Sequence, residues 1–174
     1  MMPTNNQQHD NLYKAFSLFI EAMRPYIVST LMKEAGEKWP EWFVEAISSD
    51  QKGFWNEGLR AGSSPVSLID YQHLMGFSLK YKDLLRKDFG NASNGLPTQF
   101  KTIVDVRNKV AHFKSVTPDE VADSMIQMKK IARTLGMDEL ETELSQLHEN
   151  KPALTQTAAP SVNTGTVPPW FRVV

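Results

Sequence analysis

The sequence predicts an all-α fold, a bundle of about five to six helices. Apolar residues recur with the helical period along almost the whole chain. No segment shows the alternation of apolar and polar residues that is typical of a half-buried strand. With 174 residues, of which 41% are hydrophobic, the chain is long enough to bury one core. We therefore expect one helical domain over residues 10–150, after a disordered N-terminus over residues 1–9.

The first helix is predicted to begin at Asp10, a good N-cap residue, and to end at Gly36. Pro25 should kink this helix, because proline lacks the amide donor and clashes with the preceding turn. A short aromatic helix is expected over residues 37–47, around Pro40. The apolar stripe of the first helix consists of Leu12, Ala15, Phe16, Phe19, Ile20, Met23, Ile27 and Leu31.

The middle of the chain is predicted to be a loop followed by one helix. Residues 48–64 are rich in glycine and serine, which favours a loop. The helical stripe resumes over residues 68–89, although Gly76 lowers the helix propensity there. Residues 90–95 contain two glycines and two asparagines and break the pattern.

The later helices have clear boundaries. Pro97 suits the first turn of a helix that leads to His112. Thr117-Pro118-Asp119-Glu120 predicts a capping box, so a new helix begins there and should end at Gly136. A last helix is expected from Asp138, carried by Leu140, Leu144 and Leu147.

Residues 151–174 read as a flexible Pro/Thr/Ala-rich linker toward a following domain. The final segment, Trp170-Phe171-Arg172-Val173-Val174, is aromatic and β-branched, as at the threshold of another folded part. These features predict that the chain is the N-terminal part of a larger protein. The alternative is that the chain is a complete protein and that this segment is its C-terminal tail.

The charge and the cysteine content of the chain exclude several classes of function. A net charge of −1 and a pI of about 6.4 argue against a large basic face, so nucleic-acid binding would have to be local. Without cysteine there is no disulfide, thiolate metal site or cysteine nucleophile. The N-terminus lacks the layout of a signal peptide, and no apolar run has membrane-spanning length. We expect a cytoplasmic protein with no cofactor, no metal site and no membrane partner.

The candidate catalytic residues are Arg107, Asn108 and His112. A guanidinium, a carboxamide and an imidazole together can clamp a phosphodiester and transfer protons, because histidine titrates near neutral pH. Positions 108 and 112 share a helix face, whereas positions 107 and 112 lie about 140° apart on an ideal helix. Arg107 and His112 converge only if His112 lies at the frayed end of the helix, or if a second copy supplies its own motif.

Arg107-Asn108-Lys109-Val110-Ala111-His112 resembles the signature of the HEPN superfamily: Arg, then four to six residues of which the first is usually Asn or another polar residue, and then His. Arg24-Pro25-Tyr26-Ile27 in a long first helix and the capped helix ending at Leu135-Gly136 extend the similarity to the Swt-one-like HEPN branch, over roughly residues 10–148. Bacterial members of that branch often form the N-terminus of large P-loop ATPases linked to phage defence. No phosphate loop lies within these 174 residues.

The resemblance implies a homodimer in which two motif helices face each other and form a metal-independent ribonuclease site. His112 would transfer protons, Arg107 would stabilise charge on the phosphate, and Asn108 would orient His112 or hold a phosphate oxygen. The RNA 2′-hydroxyl would attack, so DNA would be resistant. The implied partners are a second copy, RNA and an ATPase domain in the same chain.

Other interpretations remain open. His112 can be a packing residue, Arg107 can pair with a carboxylate such as Asp70, and Asn108 can cap a neighbouring helix. The alternative function is a non-catalytic helical dimerisation or interaction domain of a larger ATPase. The remaining histidines have no spacing that indicates a metal site, and the tryptophans suit the core.

Overall fold

The computed structural model describes residues 5–149, and these residues contain helices and turns but no strand. The all-α prediction is therefore confirmed. The helices are α1 (Asn5–Ala35), α2 (Trp39–Glu45), α3 (Ser49–Arg60), α4 (Pro65–Leu68), α5 (Tyr71–Lys80), α6 (Lys82–Phe89), α7 (Leu96–Ala111), α8 (Pro118–Thr134) and α9 (Asp138–Glu149). Short 3₁₀ turns, Gly36–Lys38 and Gly90–Gly95, precede α2 and α7.

The described part of the chain has more helices than the five to six expected. The loop predicted over residues 48–64 is wrong for most of its length, because α3 occupies it. Ser48 caps α3: its side chain accepts from the Gln51 amide at 3.2 Å, while the Gln51 side chain accepts from the Ser48 amide at 3.0 Å. This reciprocal cap offsets the low helix propensity of Gly53 and Gly58.

The single helix predicted over residues 68–89 is two helices, α5 and α6, which meet at Tyr81. Asp70 is the N-cap of α5, and its carboxylate accepts from the Tyr71 amide at 2.7 Å. The first helix also starts earlier than expected, since α1 begins at Asn5 rather than Asp10 and runs unbroken through Pro25. Residues 5–9 are thus helical; residues 1–4 and the linker expected over 151–174 lie outside the described residues.

Packing divides the chain into two compact units. The central unit is Phe19–Val104, and the described part of the terminal unit combines residues 5–18 with residues 105–149. The boundaries fall inside α1 and inside α7. Arg107, Asn108 and His112 all belong to the terminal unit.

In the central unit, aromatic rings form the core around Phe43. The Phe43 ring lies 5.1 Å from Trp55, 5.3 Å from His73 and 6.3 Å from Phe77, measured between centroids. Gly76 allows α5 to approach the end of α2 closely, because a Cβ at that position would collide with the backbone carbonyl of Ala46.

In the terminal unit, α8 packs against α9. Arg133 pairs with Glu141 across the two helices, with 2.6 Å between Nη2 and Oε1. Asn11 of α1 donates to the Leu147 carbonyl at 3.4 Å, which joins the start of the chain to α9. Within residues 5–149, no helix combines the length and the apolar character needed to cross a membrane.

Candidate active site

The motif residues lie in the last turns of α7. The apolar stripe of this helix is buried and consists of Leu96, Phe100, Ile103, Val106 and Val110. Asn108 and His112 lie one turn apart, and both are exposed. Arg107 points to the buried side and is only 8% exposed. The motif therefore presents two polar side chains to solvent and one to the interior.

Arg107 is bonded directly to its neighbour. Its Nη1 donates to Oδ1 of Asn108 at 3.0 Å. Because arginine has only donors, this contact fixes which end of the carboxamide is the acceptor. The Nδ2 amide group of Asn108 makes no hydrogen bond with another described residue, so it remains a donor at the surface. Arg107 thus orients Asn108.

The helix ends immediately before His112. The Phe113 amide donates to the Val110 carbonyl at 3.2 Å, and the Lys114 amide donates to the Lys109 carbonyl at 2.8 Å. These two bonds define a Schellman turn in which Phe113 adopts a left-handed φ of 55°. His112 is the capping residue of this turn. It thus lies at the end of the helix, which is one of the two arrangements that the sequence allows for convergence of Arg107 and His112.

His112 and Arg107 are not bonded to each other. The imidazole of His112 forms no hydrogen bond or ion pair with any residue in the described range 5–149. Its amide donates to the Asn108 carbonyl at 3.0 Å, as in an ordinary helical turn. Within one chain the structure therefore brings together Arg107 with Asn108, and Asn108 with His112, but leaves the imidazole open to a ligand or a second copy.

The turn after the motif is tied to α8. Lys109 pairs with Glu120, and Glu120 is also the reciprocal residue of the capping box predicted at Thr117. Its Oε1 accepts from the Thr117 amide at 3.2 Å. The Lys109 ammonium and the Thr117 donors lower the pKa of the Glu120 carboxyl. Glu120 thus stays ionised and holds the end of α7 to the start of α8.

Sequence reasoning missed a cavity of about 230 Å³ in the terminal unit. It assigned no role to His9, yet this histidine lines the cavity together with Lys114 and Ser115, which follow the motif turn. No local pattern joins these positions, because they are about a hundred residues apart and meet only after folding.

Two other histidines have structural roles. His73 is 2% exposed; its Nδ1 accepts from the Asp70 amide at 3.0 Å, and burial lowers its pKa to about 4. His148 is half-buried, with its Nδ1 2.8 Å from the Lys129 ammonium; burial and that positive charge lower its pKa. In the described part of the chain, no three His, Asp or Glu side chains are grouped closely enough to hold a metal ion.

Residues 14–136 match the family described as Swt1-like HEPN. The matched range covers more than two thirds of the 174 residues and includes the whole of α7 and the capped helix α8. No curated protein and no solved structure matches the chain. The resemblance drawn from the motif is confirmed at the level of the family, and the chain belongs to the Swt1-like HEPN family.

Proposed function

We propose that this domain binds RNA and cleaves it as a metal-independent endoribonuclease, at a site built from two copies of the chain. The observation that carries the proposal is the open imidazole of His112 beside the surface amide of Asn108. Both face solvent from one helix end, where a flexible single strand can reach them. An imidazole and an amide donor can supply proton transfer and anion binding at one phosphodiester.

The proposed reaction is attack of the RNA 2′-oxygen on the adjacent phosphorus. The 2′-hydroxyl loses its proton to a base, the O2′–P bond forms, and the P–O5′ bond breaks. The leaving 5′-oxygen takes up a proton, so the products are a 2′,3′-cyclic phosphate and a 5′-hydroxyl. DNA lacks the nucleophile and is resistant.

Two proton-transfer groups serve this reaction best, one to accept and one to donate. The motif of one chain offers a single imidazole, His112. A two-fold dimer that brings two copies of the motif together supplies the second His112. This is the physical reason for proposing a homodimer as the active form.

Arg107 acts through Asn108 in this proposal. Its guanidinium is buried and engaged with Oδ1 of Asn108, which leaves Nδ2 directed outward. The outward amide then donates to a non-bridging phosphate oxygen as negative charge develops. Arg107 is therefore a positioning residue, and Asn108 is the group that contacts the phosphate.

The wider setting in this proposal is a cytoplasmic phage-defence or toxin-type system, with the domain as the RNA-directed part of a larger P-loop ATPase. That setting follows the resemblance to bacterial relatives with this architecture. The alternative function is a non-catalytic dimerisation or interaction domain of such an ATPase. The burial of Arg107 favours this second candidate, because a buried arginine can serve packing alone.

The experiment is cleavage of a mixed pool of end-labelled RNAs in EDTA. The wild-type chain is compared with His112→Ala, Asn108→Ala and Arg107→Lys, each shown by circular dichroism to be folded. Asn94→Ala, an exposed asparagine of the central unit, is the matched control. Cleavage to 2′,3′-cyclic phosphate ends that is lost in His112→Ala and kept in Asn94→Ala supports the proposal. An inactive wild type, or an active His112→Ala, rejects it in favour of the interaction domain.

A further inference from the structure

The cavity in the terminal unit is lined in part by Lys114, which lies two residues after His112 in the sequence. Its lining includes Gln8 and His9 from α1, and Lys114 and Ser115 from the segment that follows α7. Its volume of about 230 Å³ is smaller than that of the sites that enclose drug-sized ligands, which start at about 300 Å³. Leu12, Val116 and Val121 complete the lining, so polar and apolar side chains share it. Its volume and its four polar side chains suit one sugar-phosphate unit of a longer strand.

Lys114 is the cation that this cavity offers to an anion. Its side chain is exposed and forms no ion pair with another residue of the range 5–149. Lys109, five residues earlier, is instead engaged with Glu120. His9 is likewise exposed, with no side-chain hydrogen bond to a described residue. The cavity therefore carries one available ammonium and one available imidazole.

Phe113, which immediately precedes the lining residue Lys114 in the chain, adds an exposed aromatic side chain. Its side chain is 88% exposed, far more than any other large apolar residue among those described. Its left-handed backbone, with φ of 55°, is unfavourable for a residue with a Cβ. Gly62 and Gly136 occupy the equivalent position of the Schellman turns that end α3 and α8. Packing inside the described chain does not explain a phenylalanine at this position.

We propose that Phe113, Lys114 and His9 form a subsite for one nucleotide of single-stranded RNA, adjoining His112. The base stacks on the exposed ring of Phe113, and the neighbouring phosphate binds Lys114 and His9 at the cavity. Stacking on an aromatic ring is tolerant of base identity, so the subsite recognises a strand rather than a sequence. This inference rests on the proposed function, because it names how the substrate is held beside His112.

The test measures binding without cleavage. The full chain is titrated against a fluorescein-labelled 2′-O-methyl oligonucleotide, which cannot be cut because its 2′-oxygen is methylated, and anisotropy gives Kd. The variants are Phe113→Gly, Phe113→Trp, Lys114→Gln and His9→Gln. Phe54→Ala and Lys38→Gln, an exposed phenylalanine and an exposed lysine of the central unit, are the matched controls.

We expect Phe113→Gly to weaken binding about tenfold, because base stacking is of that order, while Phe113→Trp retains it. Phe113→Gly should melt at the same or a higher temperature than the wild type, since glycine suits a left-handed φ. Weaker binding by a chain that is not less stable separates the subsite from a folding role. Lys114→Gln should lower the slope of log Kd against log salt concentration by about 0.7, the contribution of one single-strand phosphate.

The outcomes are distinguishable from failure of the proposed function. If Phe113→Gly and Lys114→Gln bind like the wild type while the wild type cleaves RNA, the subsite is rejected and the nuclease stands. If the variants lose binding as expected but the wild type cleaves nothing, the subsite stands and the nuclease is rejected. If the wild type does not bind the oligonucleotide, the subsite is rejected whatever the cleavage assay shows.

Discussion

Lys109 on α7 and Glu120 on α8 form an ion pair between the helix that carries the motif and the helix that follows it. The Glu120 carboxylate serves two donors at once, because it also accepts from the Thr117 amide that it caps. Residues 112–116, including His112, lie between these two helices. One carboxylate of α8 therefore links the two helices that flank His112.

Glu120→Gln should loosen the segment that contains His112. Glutamine keeps the capping box but loses the ion pair with Lys109, so the segment opens more often while α8 stays intact. We expect amide hydrogen exchange over residues 112–116 to accelerate a few-fold, measured by mass spectrometry at neutral pH. Glu141→Gln, which breaks the Arg133 pair between α8 and α9, is the control. Equal exchange in Glu120→Gln and the wild type would show that the ion pair does not hold the segment.

Stability should fall as the pH drops from about 6.5 toward 4, because of His73. Its folded pKa of about 4 lies below the ordinary histidine value of 6.5, so the unfolded chain binds the proton more readily in this range. The contribution of His73 to the free energy of unfolding is complete at pH 7. Acidification removes about 3 kcal/mol of it, at about 1.36 kcal/mol per pKa unit. Urea unfolding at pH 7 and at pH 4.5 measures it.

His73→Gln is the reference for that experiment, because glutamine can still act at the third residue of the cap but does not titrate. The difference in unfolding free energy between the two pH values should be smaller in His73→Gln by about 2–3 kcal/mol. Equal acid sensitivity of the two proteins would place the titration elsewhere, for example in the carboxyl groups.

Gly76→Ala and Gly53→Ala should have opposite effects on stability. Both glycines are helical, but a Cβ at Gly76 meets the Ala46 carbonyl, whereas a Cβ at Gly53 meets open space. We expect Gly76→Ala to destabilise the chain by about 1–3 kcal/mol through overpacking. Gly53→Ala should stabilise it by up to about 1 kcal/mol through helix propensity. Thermal denaturation of both proteins checks the pair, and stabilisation by Gly76→Ala would contradict the close approach.

Phe113→Gly and Gly136→Ala should likewise change the free energy of unfolding in opposite directions. Both positions follow the capping residue of a Schellman turn and have a left-handed φ, 55° at Phe113 and 69° at Gly136. Removing the Cβ at Phe113 should stabilise by about 1 kcal/mol, and adding one at Gly136 should cost about as much. Chemical denaturation in urea gives both values. Destabilisation by Phe113→Gly would mean that its ring packs in solution.

If two copies form the nuclease site, a dimer of one wild-type and one inactive chain should not cleave RNA. Mixing wild type with a tenfold excess of His112→Ala places most wild-type chains in mixed dimers, so cleavage should fall by about tenfold. RNA is kept in excess over total protein, so that sequestration of substrate does not contribute. Unchanged cleavage would show that one chain carries a complete site.

The outer parts of the fold were predictable from sequence because their signals are local. The apolar stripe of α1, the capping box at Thr117 and the stop at Gly136 act within one or two turns. The helix over residues 49–60 was missed because its glycines and the flanking serines favour a loop, although its capping box, Ser48 with Gln51, is visible in the sequence. The break at Tyr81 has no glycine or proline to mark it, and the hydroxyl of Tyr81 donates to the distant Trp42 carbonyl, a tertiary contact that no local pattern encodes.

The candidate site was predictable only in part. The spacing of Asn108 and His112 on one face follows from helix geometry. The burial of Arg107 and its bond to Asn108 do not, because the surroundings of α7 decide which side is covered. The proximity of His9 to Lys114 depends on chain segments about a hundred residues apart, and no periodicity encodes it.

The burial of Arg107 also determines how variation in this chain can be interpreted. The Arg107 side chain is part of the interior, because it is only 8% exposed. It is also part of the motif, because it donates a hydrogen bond to Asn108. Lysine keeps the charge but lacks the planar fork that holds the carboxamide. Replacement of Arg107 therefore changes folding and surface chemistry together, and homologues that differ only at Asn108 or His112 are the informative ones for separating the two.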